Sequence, residues 1–334
     1  MHKGFKRSIL IAASLAGGLM AQAALAADKV VYQLDWLPGG DKSPVYVGVQ
    51  EGFFEAEGLE VKIASGRGST DAITKIATGQ ADIGSADIGA LMAAKVQDNS
   101  LPVTAVYSIF NQAPHAFFTL QKADISEMTD IEGKKVATSP FTSSNAFLPL
   151  VLKENGMAED AVSLTKADPG ALGPMLMNGG TDAIIAWVTN IALFADQAKA
   201  TGNELVVLPW SDAGLELYSA SVVASEAFLS ERPDVAKRFL RAFDKSLKFT
   251  SENPRKAAEA LNSMVPEVDV DVATGQIGDT MKLVMNDVSD RDGLGALTEE
   301  RMALTWSWVA QAEKLAGDAL DPEIIIDRTL FEAL

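Results

Sequence analysis

Short apolar runs alternate with segments in which apolar residues recur every three or four positions, from residue 30 almost to the end of the chain. Val30-Val31-Tyr32-Gln33-Leu34 predicts a first strand, followed by a loop from Trp36 to Lys42. Ser43-Pro44 then offers an N-cap and a first-turn proline for a helix through Glu51, ended by Gly52. Leu59 to Ile63 predicts a second strand. Ser69 or Thr70 caps the next helix, with Ala72, Ile73, Ile76 and Ala77 on its apolar face and Gly79 at its end. Ala81 to Gly84 reads as a short third strand, and Ser85-Ala86-Asp87 leads into a helix ending near Gln97. A second series follows Phe117 to Leu120: a strand from Lys135 to Thr138, a polar loop, a helix capped around Ser143, and a strand from Ala183 to Trp187 that runs into Thr189 as a helix cap. Beyond Tyr218 to Val223 the pattern is helical, with Pro233 and Pro254 opening helices and a further one over Thr298 to Leu315. Alternating units of this kind build α/β layers over largely parallel sheets. No Pro/Gly/Ser-rich linker separates the two series, so short crossings near 111–116 and 210–218 are expected to join two lobes as hinges.

The first 26 residues set the compartment. Lys3, Lys6 and Arg7 precede an apolar stretch from Ser8 to Ala21, and Ala24-Leu25-Ala26 has the small-x-small form of an export cleavage site. The stretch falls short of the ~20 apolar residues that span a bilayer. Residues 1–26 are therefore expected to be a cleaved signal peptide, leaving a periplasmic protein. The rest divides into lobe 1 (27–114 and 216–334, with the C-terminal helices) and lobe 2 (115–215). Removing residues 1–26 leaves 25 Lys+Arg against 45 Asp+Glu, a surface that repels nucleic acid and anionic lipid. The sequence holds no Cys and two His, of which only His115 lies beyond the signal segment, so disulfides, thiolate nucleophiles and multi-histidine metal sites are excluded. No cofactor, metal or catalytic residue is expected.

The candidate chemistry lies at strand ends, where open α/β sheets bind ligands on helix N-termini. Three loops there are rich in small hydroxyl residues: Gly66 to Thr70, Ser85 to Asp87, and Ser139 to Asn145. Ordinary capping accounts for any one of them, but three at corresponding ends point to a site for a polar or anionic ligand group. Trp36 and Trp187 stand just past strand ends, where core packing and an aromatic wall for a flat ligand are both open readings. Trp306 and Trp308 read as packing, and His115 as the bearer of a local hydrogen bond at a hinge crossing. No Gly-x-Ser-x-Gly elbow and no Walker loop is present.

Leu34-Asp35-Trp36-Leu37-Pro38, Val45-Tyr46-Val47-Gly48, Glu51 to Leu59, Gly79-Gln80-Ala81-Asp82-Ile83-Gly84, Pro114-His115, Ile131 to Val136 and the Arg232-Pro233 helix together resemble the periplasmic binding proteins of ABC importers for nitrate, sulfonates, taurine and thiamine-pyrimidine precursors. The matches run in order along nearly the whole mature chain. The resemblance implies a two-lobe type II periplasmic binding fold with a ligand cleft between the lobes. It implies a monomer that binds a small-molecule solute and partners an ABC permease of the inner membrane, with no nucleic acid. Carried over residue by residue, the ligand contacts are Asp35, Trp36, Ser69, Thr70, Ser85, Asp87, Thr142, Ser143, Ser144, Asn145, Trp187 and Thr189. The Asp35-Trp36 pair and the Tyr218 region resemble the pyrimidine-precursor branch, which makes a small heteroaromatic or small organic anion solute the expected ligand, with an aliphatic sulfonate or taurine binding protein and a pyrimidine-synthesising enzyme of the same fold as the alternatives. Eukaryotic relatives that synthesise the thiamine pyrimidine use cysteine-rich and histidine motifs that are absent here.

Overall fold

A computed structural model describes residues 27–331; the expected signal peptide, residues 1–26, lies outside them. Two five-stranded mixed sheets carry the architecture. In chain order the strands are β1 (Asp28–Gln33), β2 (Leu59–Ala64), β3 (Ile83–Asp87), β4 (Val103–Ser108), β5 (His115–Leu120), β6 (Lys135–Thr138), β7 (Ser163–Lys166), β8 (Ala183–Trp187), β9 (Leu205–Pro209) and β10 (Ala220–Ser225). The first sheet has the order β2-β1-β3-β10-β4 and the second β7-β6-β8-β5-β9. The same plan is used twice: β1 is parallel to β2 and β3, β6 is parallel to β7 and β8, and an antiparallel strand inserts next to each trio. β3, β4, β5, β8 and β10 are buried along their whole length, the burial expected of strands covered on both faces.

Helices Ser43–Gln50, Pro233–Glu252, Pro254–Met264 and Val270–Val284 cover the outer face of the first sheet. There Tyr32, Phe54, Phe239 and Phe243 form a stacked aromatic column with ring centroids 4.9 to 6.2 Å apart. A second core is shared between the sheets. Ile88 and Leu91 from the first half meet Phe117, Phe147 and Val151 from the second, and Trp306 and Val309 of the helix Glu299–Ala312 close it from behind. Trp306 is thus a packing residue, as expected, and its indole also donates to the Gly317 carbonyl at 2.6 Å.

Two crossings connect the sheets, residues 109–114 and 210–219, and they run side by side. The amides of Ile109 and Phe110 both donate to the Ala220 carbonyl at 2.8 Å, the Ser219 amide to Phe110, and the Trp210 amide to His115.

Some boundaries differ from the sequence pattern. Ser85, Ala86 and Asp87 are strand residues, not a lead-in loop: they pair antiparallel with Val222, Ser221 and Ala220, a partner strand more than 130 residues away that local pattern cannot reveal. Ser43 and Ser69 are first-turn residues rather than caps, since the caps are Lys42 and Gly68 and neither makes a side-chain capping bond.

The two halves touch on either side of their facing strand ends. On one side Ser139 Oγ donates to the Arg67 carbonyl at 2.8 Å, the Thr70 amide and hydroxyl donate to the Phe141 carbonyl at 3.2 and 3.1 Å, and the Arg67 guanidinium lies 4.6 Å over the Phe141 ring. Gly68 makes this approach possible: its φ of +154° disfavours L side chains, and a Cβ there would overlap the Phe141 backbone. On the other side Gln276 donates to Asn190 at 3.4 Å and Gly275 lies against Ala192. Gly68→Ala is therefore expected to hold the halves apart while leaving each core intact. Solution scattering should show a larger radius of gyration than wild type under ligand-saturating conditions, whereas Gly278→Ala, which meets open space, should not change it. An unchanged radius for Gly68→Ala would show that this contact does not set closure.

Candidate functional site

The loop after β1 is built by close backbone approach. Gln33 Nε2 donates to the carbonyls of Leu34 and Ser65, both at 2.8 Å, and Gly66 sits where any Cβ would strike the Leu34 carbonyl. The loop then delivers Asp35, Trp36, Asp41 and Lys42 to the cleft, with Gly40–Lys42 forming a 3₁₀ turn that feeds straight into the helix Ser43–Gln50.

The electrostatic centre is Lys42. Its ammonium is 2.6 Å from Asp35 Oδ1 and 2.9 Å from Asp41 Oδ2, with its side chain only 5% exposed, and it lies 5.4 Å from the centre of the Trp187 ring. Burial alone would depress the lysine pKa, but the two carboxylates outweigh it and hold the group above its ordinary range. Burial likewise works to raise the Asp41 carboxyl, against the pull of the ammonium. Asp35 is 2% exposed. Its Oδ1 also accepts from Ser85 Oγ at 2.9 Å, while its Oδ2 is buried without a protein partner.

A cavity opens between the halves, lined by Asp35, Trp36, Asp41, Gly68, Ser69, Thr142, Ala186, Trp187 and Asn190. The two tryptophans cross over. Trp36 packs against the core of the second half, and Trp187, from β8 of the second half, enters the core of the first, edge-on to Phe110 at 5.9 Å. The Trp187 Nε1 has no protein partner.

Of the twelve residues expected from the sequence, Asp35, Trp36, Ser69, Thr142 and Trp187 line this cavity. The others lie around it. Ser85 fixes Asp35. Thr70 is a closure contact, and Thr189 reaches Asp41 across the cleft at 3.5 Å. Asn145 holds its own loop by donating to the Ser139 carbonyl and accepting from Thr138. Asp87 caps the helix Ile88–Gln97 through the amides of Gly89 and Ala90 and accepts from Ser219 Oγ at 2.5 Å. The Ser143 hydroxyl is buried with no hydrogen-bond partner, and Ser144 bonds to His115. The sequence pattern does not single out Asp41, Ala186 or Asn190, and it gives Gly68 only as part of the Gly66 to Thr70 loop. Adjacent Asp41 and Lys42 look like a solvated pair until the fold buries both.

His115 departs from its expected local hydrogen bond. Its Nδ1 shares a bond of 2.9 Å with Ser144 Oγ, 29 residues on, and its Nε2 stands unpartnered 3.8 Å from Asp87 Oδ2. Phe147, Trp187 and Trp210 surround the ring at 5.2 to 6.0 Å. Burial lowers the imidazole pKa to about 3 and raises that of the Asp87 carboxyl to about 6. At neutral pH the imidazole is therefore uncharged and shut away from the cavity.

The family model described as NMT1/THI5 like matches residues 40–257, which include the Lys42 turn, the hydroxyl loops and both crossings. The chain belongs to this NMT1/THI5-like family. Among family relatives, the riboflavin-binding protein RibY of Chloroflexus aurantiacus is 24% identical over 275 residues, covering 80% of this chain and 76% of that protein. The formylaminopyrimidine-binding protein of Halalkalibacterium halodurans is 24% identical over 287 residues, 85% of each chain. Relatives named as 4-amino-5-hydroxymethyl-2-methylpyrimidine phosphate synthases match as well. In structure, the alkanesulfonate-binding protein SsuA of Xanthomonas axonopodis pv. citri, bound to MOPS, superposes with a TM-score of 0.71 at 12% identity, covering 91% of this chain and 99% of that one. The fold is that of periplasmic binding proteins, and the role that fits the family's binding members is substrate binding.

Asp87 and His115 have opposing effects on acid stability. Between about pH 4 and 6 the folded chain carries a proton on Asp87 that an unfolded aspartate lacks, and the unfolded chain carries one on the histidine that the folded chain lacks. The two cancel. Asp87→Asn leaves the histidine alone, so its stability should fall relative to wild type as pH drops from about 6.5, by up to ~1.4 kcal/mol per pH unit. His115→Gln leaves Asp87 alone, so its stability should rise relative to wild type as pH falls from about 6 to 4. Urea unfolding across pH 4–7 measures both slopes, and curves parallel to wild type for both variants would contradict the assignment.

Proposed function

We propose that the protein is the exported substrate-binding component of an ABC importer, capturing a small flat heteroaromatic solute between its lobes and handing it to an inner-membrane permease as a monomer. The observation that carries this reading is the placement of Trp36 and Trp187, from opposite halves, on the wall of one cavity. A tryptophan face adds about 0.5–1.5 kcal/mol to a stacked ring beyond area burial and gives little to a tetrahedral anion. The relatives named for riboflavin and formylaminopyrimidine also bind flat nitrogen heterocycles. Export is supported by the basic start, short apolar run and Ala24-Leu25-Ala26 of the sequence.

A sulfonate reading rests on the likeness to SsuA, which extends to the fold. Against it, Lys42 beside the cavity is already held by two carboxylates, and the cavity lining includes no Lys or Arg to receive an anion. Binding is preferred to pyrimidine synthesis because the sequence has no cysteine and its one histidine beyond residue 2 is buried at the crossing with a depressed pKa.

Trp36→Ala is expected to weaken binding of an aromatic solute some thirtyfold, since truncating such an anchor commonly costs over ~2 kcal/mol. Trp187→Phe, which keeps a ring under Lys42, should lose less. Titration followed by intrinsic fluorescence and calorimetry checks both, with riboflavin, an aminopyrimidine and MOPS as probes. Tighter binding of MOPS than of either ring, or indifference of ring binding to Trp36→Ala, would overturn the proposal.

A further inference from the structure

One arginine behind the crossings lacks what every other has. Each of the other arginines among the described residues stands within 4.0 Å of an Asp or Glu carboxylate. Arg301 does not, in a chain with 45 Asp+Glu to choose from. It lies in the first turn of the helix Glu299–Ala312, half-buried, where its Nη2 donates to the Asn111 carbonyl and its Cζ stands 5.4 Å from the centre of the Tyr218 ring. A guanidinium carries five N–H donors, and here Nε is buried with no protein partner. Burial outweighs the more distant Glu216 and Asp292 and lowers its pKa. A cation held this way is short of a counter-charge.

The guanidinium forms one wall of a pocket that shares no residue with the solute cavity. Gln112 and Ala113 of the first crossing, Ser211, Leu215 and Glu216 of the second, and Val288 of the helix Asp287–Asp292 line the rest. Ala113 and Leu215 are buried and give the pocket an apolar floor beside Val288. Glu216 is exposed, and it acts on Arg301 only through space although both line the same pocket. Two opposite charges thus stand apart across a partly apolar pocket. A simple anion there would gain from Arg301 and be opposed by Glu216, and a simple cation would meet the reverse. A molecule that carries both charges satisfies both ends at once.

We infer that this pocket is a second ligand site, for a small zwitterionic amino acid with an apolar side chain, whose carboxylate bonds Arg301, whose ammonium faces Glu216 and whose side chain covers Ala113, Leu215 and Val288. Charge-assisted and forked bonds to a guanidinium are the strong class of hydrogen bond, which suits Arg301 to a carboxylate. The site stands independently of what the cleft binds. Its occupant touches both crossings and the helices behind them.

Calorimetry on the mature protein with L-leucine, 4-methylpentanoate and 3-methylbutylamine tests this, since the last two each keep one of leucine's charges. Leucine is expected to bind at least about tenfold tighter than either. Arg301→Gln should weaken leucine by about tenfold or more. Glu216→Gln should weaken leucine similarly and leave 4-methylpentanoate no weaker. Trp36→Ala, in the solute cavity, should leave leucine binding unchanged. Hydrogen exchange in peptides covering 109–114 and 210–219 should slow when leucine is present. No leucine binding, or binding of 4-methylpentanoate as tight as that of leucine, overturns the inference. Leucine binding that Trp36→Ala abolishes and Glu216→Gln leaves intact puts the amino acid in the cleft and overturns it as well. If Arg301→Gln fails to fold, Glu216→Gln at its exposed position decides together with the exchange measurement.

Discussion

A buried lysine between two aspartates fixes what this cleft can be. An ammonium taken out of water costs several kcal/mol even after relaxation, so Lys42 is tolerable only because Asp35 and Asp41 stand within 2.9 Å of it. Such a cluster is weak evidence for stability, since a well-packed apolar replacement often does as well, but removing one partner typically costs 3–5 kcal/mol. Its consequence is positional. It locks the loop from Leu34 to Ser43 into one shape, sets Trp36 on the cavity wall, places a cation over the Trp187 ring and leaves one Asp35 carboxylate oxygen buried without a protein partner.

The same cluster ties the two halves together. Asp41 is reached by Thr189 from the second half, and Trp187 in the first half's core carries the Lys42 charge near its face. Closure is then completed by contacts of ordinary strength, the Ser139 and Thr70 hydrogen bonds on one side and the Gln276 to Asn190 bond on the other. Each contributes about 0.5–1.5 kcal/mol net. Under the proposed function, a handful of such bonds, set against the loss of freedom on closing, would give an equilibrium that a bound solute can tip by mass action. The helix Glu299–Ala312 packs behind the crossings on both halves, against the helices Ile88–Gln97 and Ser144–Glu154.

Much of this was legible in the sequence because the strand and helix periods differ. The runs Val30 to Leu34 and Ala183 to Trp187, and the proline-opened helices at 233 and 254, lie where the pattern puts them. The strand Ile83–Asp87 did not show its length, because Ser85 and Asp87 are polar and their burial depends on β10 arriving from far along the chain. The site followed the same division. Strand-end position and residue type brought out Trp36, Ser69, Thr142 and Trp187, and the family resemblance added Asp35. Asp41 and Asn190 escaped because each is buried by the opposite half, and His115 was misjudged because its partner Ser144 comes from another strand unit.

The central claim of the proposed function is that this cleft holds a flat heteroaromatic solute and not an anion. It is tested most directly by native mass spectrometry of the mature protein purified from the cells that produce it, with the retained solute released and identified. The account predicts one bound molecule per chain, ultraviolet-absorbing and built on a nitrogen heterocycle. A retained alkanesulfonate or another non-aromatic anion at the same stoichiometry would contradict it.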